Sequence, residues 1–450
     1  MSKHIVVRVL QYYQKCWIDG FTPFWFIMCM GTGISANILY KFPYKGQWMI
    51  RCSYIFFAIA CILFISLQLI SWIQFLQNAF SGPKRKLYYW RCFRNMNNNV
   101  FWGTYAMGLQ TIINYIFVIA TSNSVKDTEH AKRLMHMVFV LWWYDISISF
   151  IIAWGITFII WKDHNHYFEE TEDYVSVPEI KTMRENLQTV LLLPVITLVV
   201  ACSCSGIFAM SDLFTQCYNR NVQLVTLTIT FLAWLHVIVL VAIIMAIYVW
   251  NLYVNKLPQE NKVFSLFLCL GPMGQGAFGI LWLTKDVKIY IDMYYKIDPN
   301  VDLNGYIAKV AVGCCFQIFG LLASLTLLGT GFFFTFLAIL RIITCFKRKT
   351  ELYKYQKAWW SMTFPLGTMA IGSIEFYIQF DPLVPMSAFR VISTIYSGAC
   401  IIVTLACLIG TIITAANEFY EFISEADLSS LPTPNSHNKP NSESPSFSLA

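Results

Sequence analysis

Ten runs of apolar residues, each long enough to cross a lipid bilayer, recur along the chain of 450 residues. Only 13% of the residues are charged, against roughly 25% in a soluble globular domain. So few charges cannot cover a surface in water, which excludes a large soluble enzyme. The net charge of +7 is not gathered in a basic domain, which argues against nucleic acid as a partner. We predict an all-α polytopic membrane protein with ten transmembrane helices, near residues 20–40, 50–75, 99–120, 134–161, 188–211, 222–250, 263–284, 306–341, 358–378 and 388–415.

The distribution of lysine and arginine predicts the orientation of the chain. An even number of spans places both termini on one side of the membrane. Two basic clusters, residues 84–86 and 347–349, fall in loops on the side of the N-terminus. By the positive-inside rule, that side faces the cytoplasm. We therefore predict a cytoplasmic tail at 1–19, a transmembrane transport domain at 20–416, and a disordered cytoplasmic tail rich in Ser, Pro and Asn at 417–450.

Proline residues follow an alternating pattern among the spans. Pro23, Pro194, Pro272 and Pro365 fall in spans 1, 5, 7 and 9, and no even-numbered span contains proline. Kinked backbone at membrane depth is tolerated only where it is buried in protein or lines a cavity. We therefore expect five helical hairpins, with odd spans forming an inner pore ring and even spans an outer ring facing lipid. The alternative is that proline and glycine simply assist helix packing.

The predicted inner spans carry hydroxyl, amide and helix-breaking residues and no charge away from their ends, apart from Glu375 near the outer end of span 9. A neutral path suits a small ion, because conduction requires weak binding. A fixed charge 4 Å from an anion is worth about 4 kcal/mol at an effective dielectric of 20, which would hold the anion tightly. The residues predicted to line this path or break its helices are Pro23, Gly31, Thr32, Gly33, Gly103, Gly108, Pro194, Gly271, Pro272, Gly274, Gln275, Gly276, Thr363, Pro365 and Gly367.

Ionisable residues inside the spans are few, and each is a candidate for function because charge in a bilayer is costly. Asp145 and Glu375 are the candidates for proton coupling, although Asp145 and His236 also fit structural hydrogen bonding between helices. Their scarcity argues against a carboxylate-lined cation channel, a proton relay and a haem site. We expect no metal, cofactor or catalytic residue. The acidic loop 162–187 is interpreted as solvated, with metal binding or regulation as the alternative.

Four motifs in the odd spans carry a family resemblance. They are FTPFWFIMCMGTGIS from Phe21, LLPVITLVVACSCSG from Leu192, LGPMGQGAFGI from Leu270 and AWWSMTFPLGT from Ala358. These motifs resemble the tellurite-resistance/dicarboxylate transporter family, which includes the slow anion channels. The resemblance covers residues 20–416, and the first, third and fourth motifs are most similar to the fungal sulfite efflux branch.

The resemblance implies a ten-helix bundle around a central pore that an aromatic side chain of the ninth helix occludes. The matching position is Phe364, which precedes Pro365. Phe278, between Gly276 and Gly279, is a second candidate for a gate. The resemblance also implies a homo-oligomer, often a trimer with one pore in each subunit, and a location in the plasma membrane.

We expect the protein to export sulfite or bisulfite, with a small inorganic anion and the lipid bilayer as its partners. A malate or dicarboxylate permease is the alternative, although no arginine lies in the odd spans to hold a second carboxylate. A membrane enzyme or a receptor is an alternative of another class. It is disfavoured because the odd spans offer no histidine, aspartate or Cys/His pair for catalysis.

Overall fold

The computed structural model of the chain describes residues 12–44, 46–80, 96–123, 125–126, 128–162, 189–258, 260–347 and 354–428. Over these ranges the chain is helical and contains no β-strand, which confirms the predicted all-α class. Ten long helices follow one another: α1 (Phe26–Tyr40), α2 (Gln47–Ala79), α3 (Trp102–Ala120), α4 (Glu129–Phe150), α5 (Leu192–Phe208), α6 (Arg220–Asn255), α7 (Leu270–Tyr294), α8 (Leu303–Phe346), α9 (Trp360–Phe380) and α10 (Ser387–Leu428).

Most of these helices are suited to cross a membrane. Within the described ranges, eight are long and apolar enough, or nine if Tyr13–Asp19 and Pro23–Tyr40, which meet at 83°, form one bent span. Helix α9 is not among them, because its Ser, Thr, Gly and Gln residues lower its mean hydropathy. The count of ten spans therefore stays a prediction. The predicted eighth span, 306–341, lies within α8, which has 44 residues.

The helices alternate between the interior and the surface. In the apolar stretches of α3, α5 and α7, 83%, 83% and 94% of the residues are buried. In α2, α4, α6, α8 and α10 the buried share is only 17% to 39%. The outer helices expose large apolar side chains such as Trp250, Phe336 and Ile402, which suit contact with lipid. The burial of α3, α5 and α7 and the exposure of the even helices are in keeping with the predicted placement of odd helices inside and even helices outside.

The five odd-numbered helices make a closed circuit of contacts, which we call the helix ring. Helix α1 packs against α3, α3 against α5, α5 against α7, α7 against α9, and α9 against α1. Each also packs against the outer helix that follows it in the chain. A Cβ added at Gly108 would contact Cys29, and one added at Gly33 would contact Thr111. The later residue of α1 thus contacts the later residue of α3, so the two helices are parallel.

The other neighbours in the helix ring are parallel for the same reason. Their contacts pair Gly103 with Leu193 and Phe117 with Phe208 (α3 with α5), Ile196 with Gly271 and Gly206 with Trp282 (α5 with α7), Leu270 with Thr368 and Gly274 with Gly372 (α7 with α9), and Gly31 with Thr363 and Ile34 with Gly367 (α1 with α9). All five inner helices therefore begin at one end of the helix ring and finish at the other, which we call its C-terminal end.

Three of the four prolines in the predicted inner spans lie at or near the start of an α-helix. Pro23 lies in the 3-10 turn before α1, while Pro194 and Pro272 are each the third residue of an α-helix. Proline is tolerated there because the first N–H groups of a helix have no partner within it. Of the four, only Pro365 lies beyond the first turn of its α-helix. A kink inside a span is therefore expected at α9, while the other three prolines lie at or near the start of an α-helix.

Two helices run further than the sequence indicated. Helix α7 continues to Tyr294 and α10 to Leu428. Residues 417–428, which we expected in the disordered tail, are therefore helical. The remaining tail at 429–450 and residues 163–187 of the acidic loop lie outside the described residues.

Candidate functional site

Phe364 lies on the face of α9 that points into the helix ring. On one side of it, Thr363 and Gly367 contact α1; on the other, Thr368 and Gly372 contact α7. With 3.6 residues per turn, position 364 falls between these two contact faces. The opposite side of α9 packs against the outer helices α8 and α10. The Phe364 side chain is 3% exposed, so it is enclosed among the inner helices.

Phe278 occupies the corresponding face of α7. Gly274 contacts the backbone of α9 on one side, and Gly279 contacts Ser203 of α5 on the other, so position 278 falls between them. Its side chain is also 3% exposed. Because Gly274 contacts α9 between Thr368 and Gly372, Phe278 lies roughly 13 to 18 Å nearer the C-terminal end than Phe364, at 1.5 Å rise per residue. The two predicted gate residues therefore occupy the interior at two levels.

The glycines predicted to line the path lie largely at contacts between helices. A Cβ at Gly33 would collide with Thr111, one at Gly103 with the Leu193 carbonyl, and one at Gly274 with the backbone of α9. Small residues at such positions allow membrane helices to approach closely. Four other glycines also contact neighbouring inner helices: Gly31, Gly108, Gly271 and Gly367. Gly276 instead faces the outer helices α6 and α8.

The hydroxyl groups predicted along the path bind carbonyl oxygens of their own helices. Thr32 donates to the carbonyl of Met28 at 2.7 Å, and Thr363 donates to that of Trp360 at 2.8 Å. Gln275 differs, because its Oε1 is buried without a hydrogen-bond partner among the described residues. Buried polar atoms are normally satisfied by protein or by water. Gln275 is therefore the predicted path residue with unused hydrogen-bonding capacity.

The Asp145 side chain accepts hydrogen bonds at the contact between α3 and α4. Its fully buried carboxylate accepts a short hydrogen bond from Gln110 Nε2 and another from Ser149 Oγ at 3.4 Å. His236 of α6 accepts a hydrogen bond from Trp154 Nε1 at 3.1 Å. Both side chains thus make the hydrogen bonds between helices that the structural interpretation expected.

Glu375 shares the inward face of α9 with Phe364, because eleven residues make about three helical turns. It is 4% exposed, and its Oε1 accepts a hydrogen bond from Gln379 Nε2 at 2.8 Å. Of the two residues considered for proton coupling, Glu375 is therefore the one on the interior face of the helix ring.

The structure places further charged residues at the C-terminal end of the helix ring. Because α7 continues past residue 284, Asp286 lies within the helix and is only 2% exposed. Lys285 precedes it, and its ammonium lies 4.6 Å from the ring centroid of Trp282. Lys41 directly follows α1, and its Nζ lies 5.9 Å from the ring centroid of Phe278. Lys285 and Asp286 lie just beyond the predicted span 7, within the same helix α7.

Residues 20–412 match the sequence profile of the voltage-dependent anion channel family. The chain belongs to this family. Its fungal relatives include the sulfite efflux pump SSU1 of Saccharomyces cerevisiae, 45% identical over 401 residues that cover 87% of each chain. The sulfite efflux pump SSU1 of Candida albicans is 26% identical over 91% of this chain and 78% of the relative. That of Arthroderma otae is 26% identical over 84% and 87% of the two chains.

Membership of the anion channel family confirms the resemblance that the four motifs carried. It makes the chain a multi-pass membrane protein of an anion transport family, and the named relatives are transporters rather than enzymes.

Proposed function

We propose that this protein exports sulfite or bisulfite across the plasma membrane, through the interior of the helix ring. The observation that carries the proposal is the identity of 45%, over 87% of both chains, to a relative named as a sulfite efflux pump. The closed circuit of five parallel inner helices supports it, because such a circuit encloses one axis from end to end.

The proposed gate is Phe364, with Phe278 as a second barrier nearer the C-terminal end. Both side chains are buried on inward faces. Pro365 follows Phe364 inside α9 and removes a backbone hydrogen bond there, which lets the helix bend. A small bend or a rotation of the Phe364 side chain would open the path without moving the rest of the helix ring.

The remaining path is proposed to be formed by helix backbone and small residues. The five inner helices begin at the same end, so the positive ends of their dipoles favour an anion there. With cytoplasmic termini, that end faces the cytoplasm and receives the exported anion. An inside-negative potential then drives each negative charge outward with about 2.3 kcal/mol per 100 mV. A passive path is therefore sufficient for export.

The proposed topology has ten crossings, including α1 and α9, with both termini in the cytoplasm. Five parallel inner helices in one chain require four returning helices between them, which α2, α4, α6 and α8 supply, and α10 then brings the chain back to the side of its N-terminus. We also propose a homo-oligomer, a trimer in keeping with the family resemblance, in which each subunit encloses its own path.

Deleting the gene in its host tests this function. We expect the deletion strain to become sensitive to sulfite and to retain more sulfite inside the cell, and we expect the intact gene to restore both properties. Uptake of labelled malate, measured in a permease-deficient strain, tests the dicarboxylate alternative. Unchanged sulfite sensitivity together with restored malate uptake would replace sulfite export by dicarboxylate transport.

A further inference from the structure

Lys41 reaches across the helix ring. Helix α1, which it follows, packs against α3 and α9, while α7 and α5 lie on the other side of the interior. Nevertheless, the Lys41 ammonium lies 5.9 Å from the ring centroid of Phe278 on α7. It is also close enough to Cys204 on α5 to interact electrostatically. A side chain from α1 that approaches both α7 and α5 must extend through the interior.

From this geometry we propose that Lys41 forms an anion-binding site above Phe278, at the C-terminal end of the helix ring. The proposal rests on the proposed function, and it assigns a residue that selects small, singly charged oxyanions as they leave the path. The ammonium group has three N–H donors, which suit the oxygen atoms of such an anion.

The position of Lys41 favours weak and reversible binding. The residue is half-buried and directly follows the last residue of α1, with its ammonium 5.9 Å from the centroid of the Phe278 ring. A cation near water attracts anions and repels cations without holding an anion as firmly as a fully buried cation would. The site therefore acts on selectivity while still permitting release.

Other charged groups near this end define the local field. Lys285 lies two turns beyond Phe278 on the same face of α7. Glu375 lies on the inward face of α9, and Asp286 interacts electrostatically with both Glu375 and Lys285. The end therefore carries both signs of charge. Lys41 is distinguished by its position directly over Phe278.

The test measures ion selectivity of the purified full chain in liposomes under a potassium bisulfite gradient. We expect Lys41→Gln to lower the permeability ratio of anion to potassium about tenfold at low ionic strength. At 1 M salt the difference should shrink, because the Debye length falls to about 3 Å. Lys41→Arg should keep the wild-type ratio, since it keeps the charge.

The matched control is Lys132→Gln. Lys132 lies at the same end of the bundle on the outer helix α4, where it forms an exposed ion pair with Glu129 at 2.8 Å. This variant removes one lysine charge outside the helix ring and should leave selectivity unchanged. An equal loss in both lysine variants would show a general surface effect and would overturn the assignment.

A binding measurement separates this inference from the proposed function. Bisulfite should raise the thermal midpoint of the wild type and of Lys41→Arg, and raise that of Lys41→Gln much less. Absence of bisulfite flux from the wild type, together with this difference in binding, would refute the transport function and retain the site. Wild-type selectivity and wild-type stabilisation in Lys41→Gln would refute the site.

Discussion

Phe364 and Glu375 lie on one face of α9, three turns apart, and both side chains are buried inside the helix ring. The proposed aromatic barrier and a carboxylate therefore lie on the same face of a single helix. Pro365, next to the barrier, is where that helix lacks a hydrogen bond. Separate substitutions can therefore test the barrier and the carboxylate.

Replacing Phe364 with alanine should increase the resting anion leak by about tenfold or more, because it removes a large buried side chain from the inward face of α9. The measurement is current through purified protein in planar bilayers, with no pH gradient. Wild-type conductance in Phe364→Ala would show that this side chain only packs.

Phe376→Ala is the matched control for the gate. Phe376 is also fully buried on α9, but it packs against Phe389 of the outer helix α10, with ring centroids 4.4 Å apart. Its loss should cost about 3–5 kcal/mol of stability and leave the leak low. A high leak in both variants would point to general loosening of α9.

Replacing Glu375 with glutamine should abolish any acceleration of sulfite efflux by an imposed pH gradient. Glutamine keeps the oxygen that accepts from Gln379, but it cannot carry a proton. The measurement compares efflux rates with and without a gradient of about one pH unit, a factor equivalent to 1.36 kcal/mol. A gradient response equal to that of the wild type would exclude Glu375 as a proton carrier.

Asp145→Ala should destabilise the protein by about 1–3 kcal/mol, because Gln110 Nε2 and Ser149 Oγ lose a buried acceptor. Asp145→Asn keeps an acceptor oxygen and should be milder. Thermal unfolding in detergent gives the comparison. If Asp145→Asn alters the response to pH while its stability is unchanged, Asp145 takes part in proton coupling and is more than a link between helices.

Gly274→Ala should prevent stable assembly of the helix ring, because the new methyl group would collide with backbone atoms of Thr368 and Met369. Backbone cannot move aside as a flexible side chain can, and overpacking costs about 1–3 kcal/mol or more. Gly398→Ala is the control, since nothing lies within 4 Å of a Cβ there. Expression and thermal stability of the two variants should differ clearly; equal stability would contradict the tight contact between α7 and α9.

The two-layer arrangement could be predicted from sequence because inner and outer helices obey different rules. An inner helix is surrounded by protein, so it can carry proline, glycine and hydroxyl groups, as α9 does. An outer helix meets lipid along one side and must stay apolar, as α8 does. The order of contacts around the helix ring could not be predicted, because it depends on pairings such as Gly33 with Thr111 that no local pattern reveals.

The charged end of the site could not be predicted because hydropathy treats every charge as a loop signal. Lys285 and Asp286 lie just beyond the predicted seventh span, although α7 continues to Tyr294. Lys41 lies just beyond the predicted first span, although its ammonium lies 5.9 Å from the centroid of the Phe278 ring. Glu375 and Phe364 can be proposed from sequence because the first lies within a predicted span and the second within a recognisable motif.

The most direct test of the account is the sulfite current of purified wild-type protein and of Phe364→Ala in planar bilayers, measured against potassium, chloride, nitrate and malate. The account predicts that bisulfite or sulfite carries current in both proteins, with a larger conductance in Phe364→Ala and a reversal potential set by the anion gradient. A bilayer in which neither protein passes sulfite, or in which malate alone is carried, would contradict it.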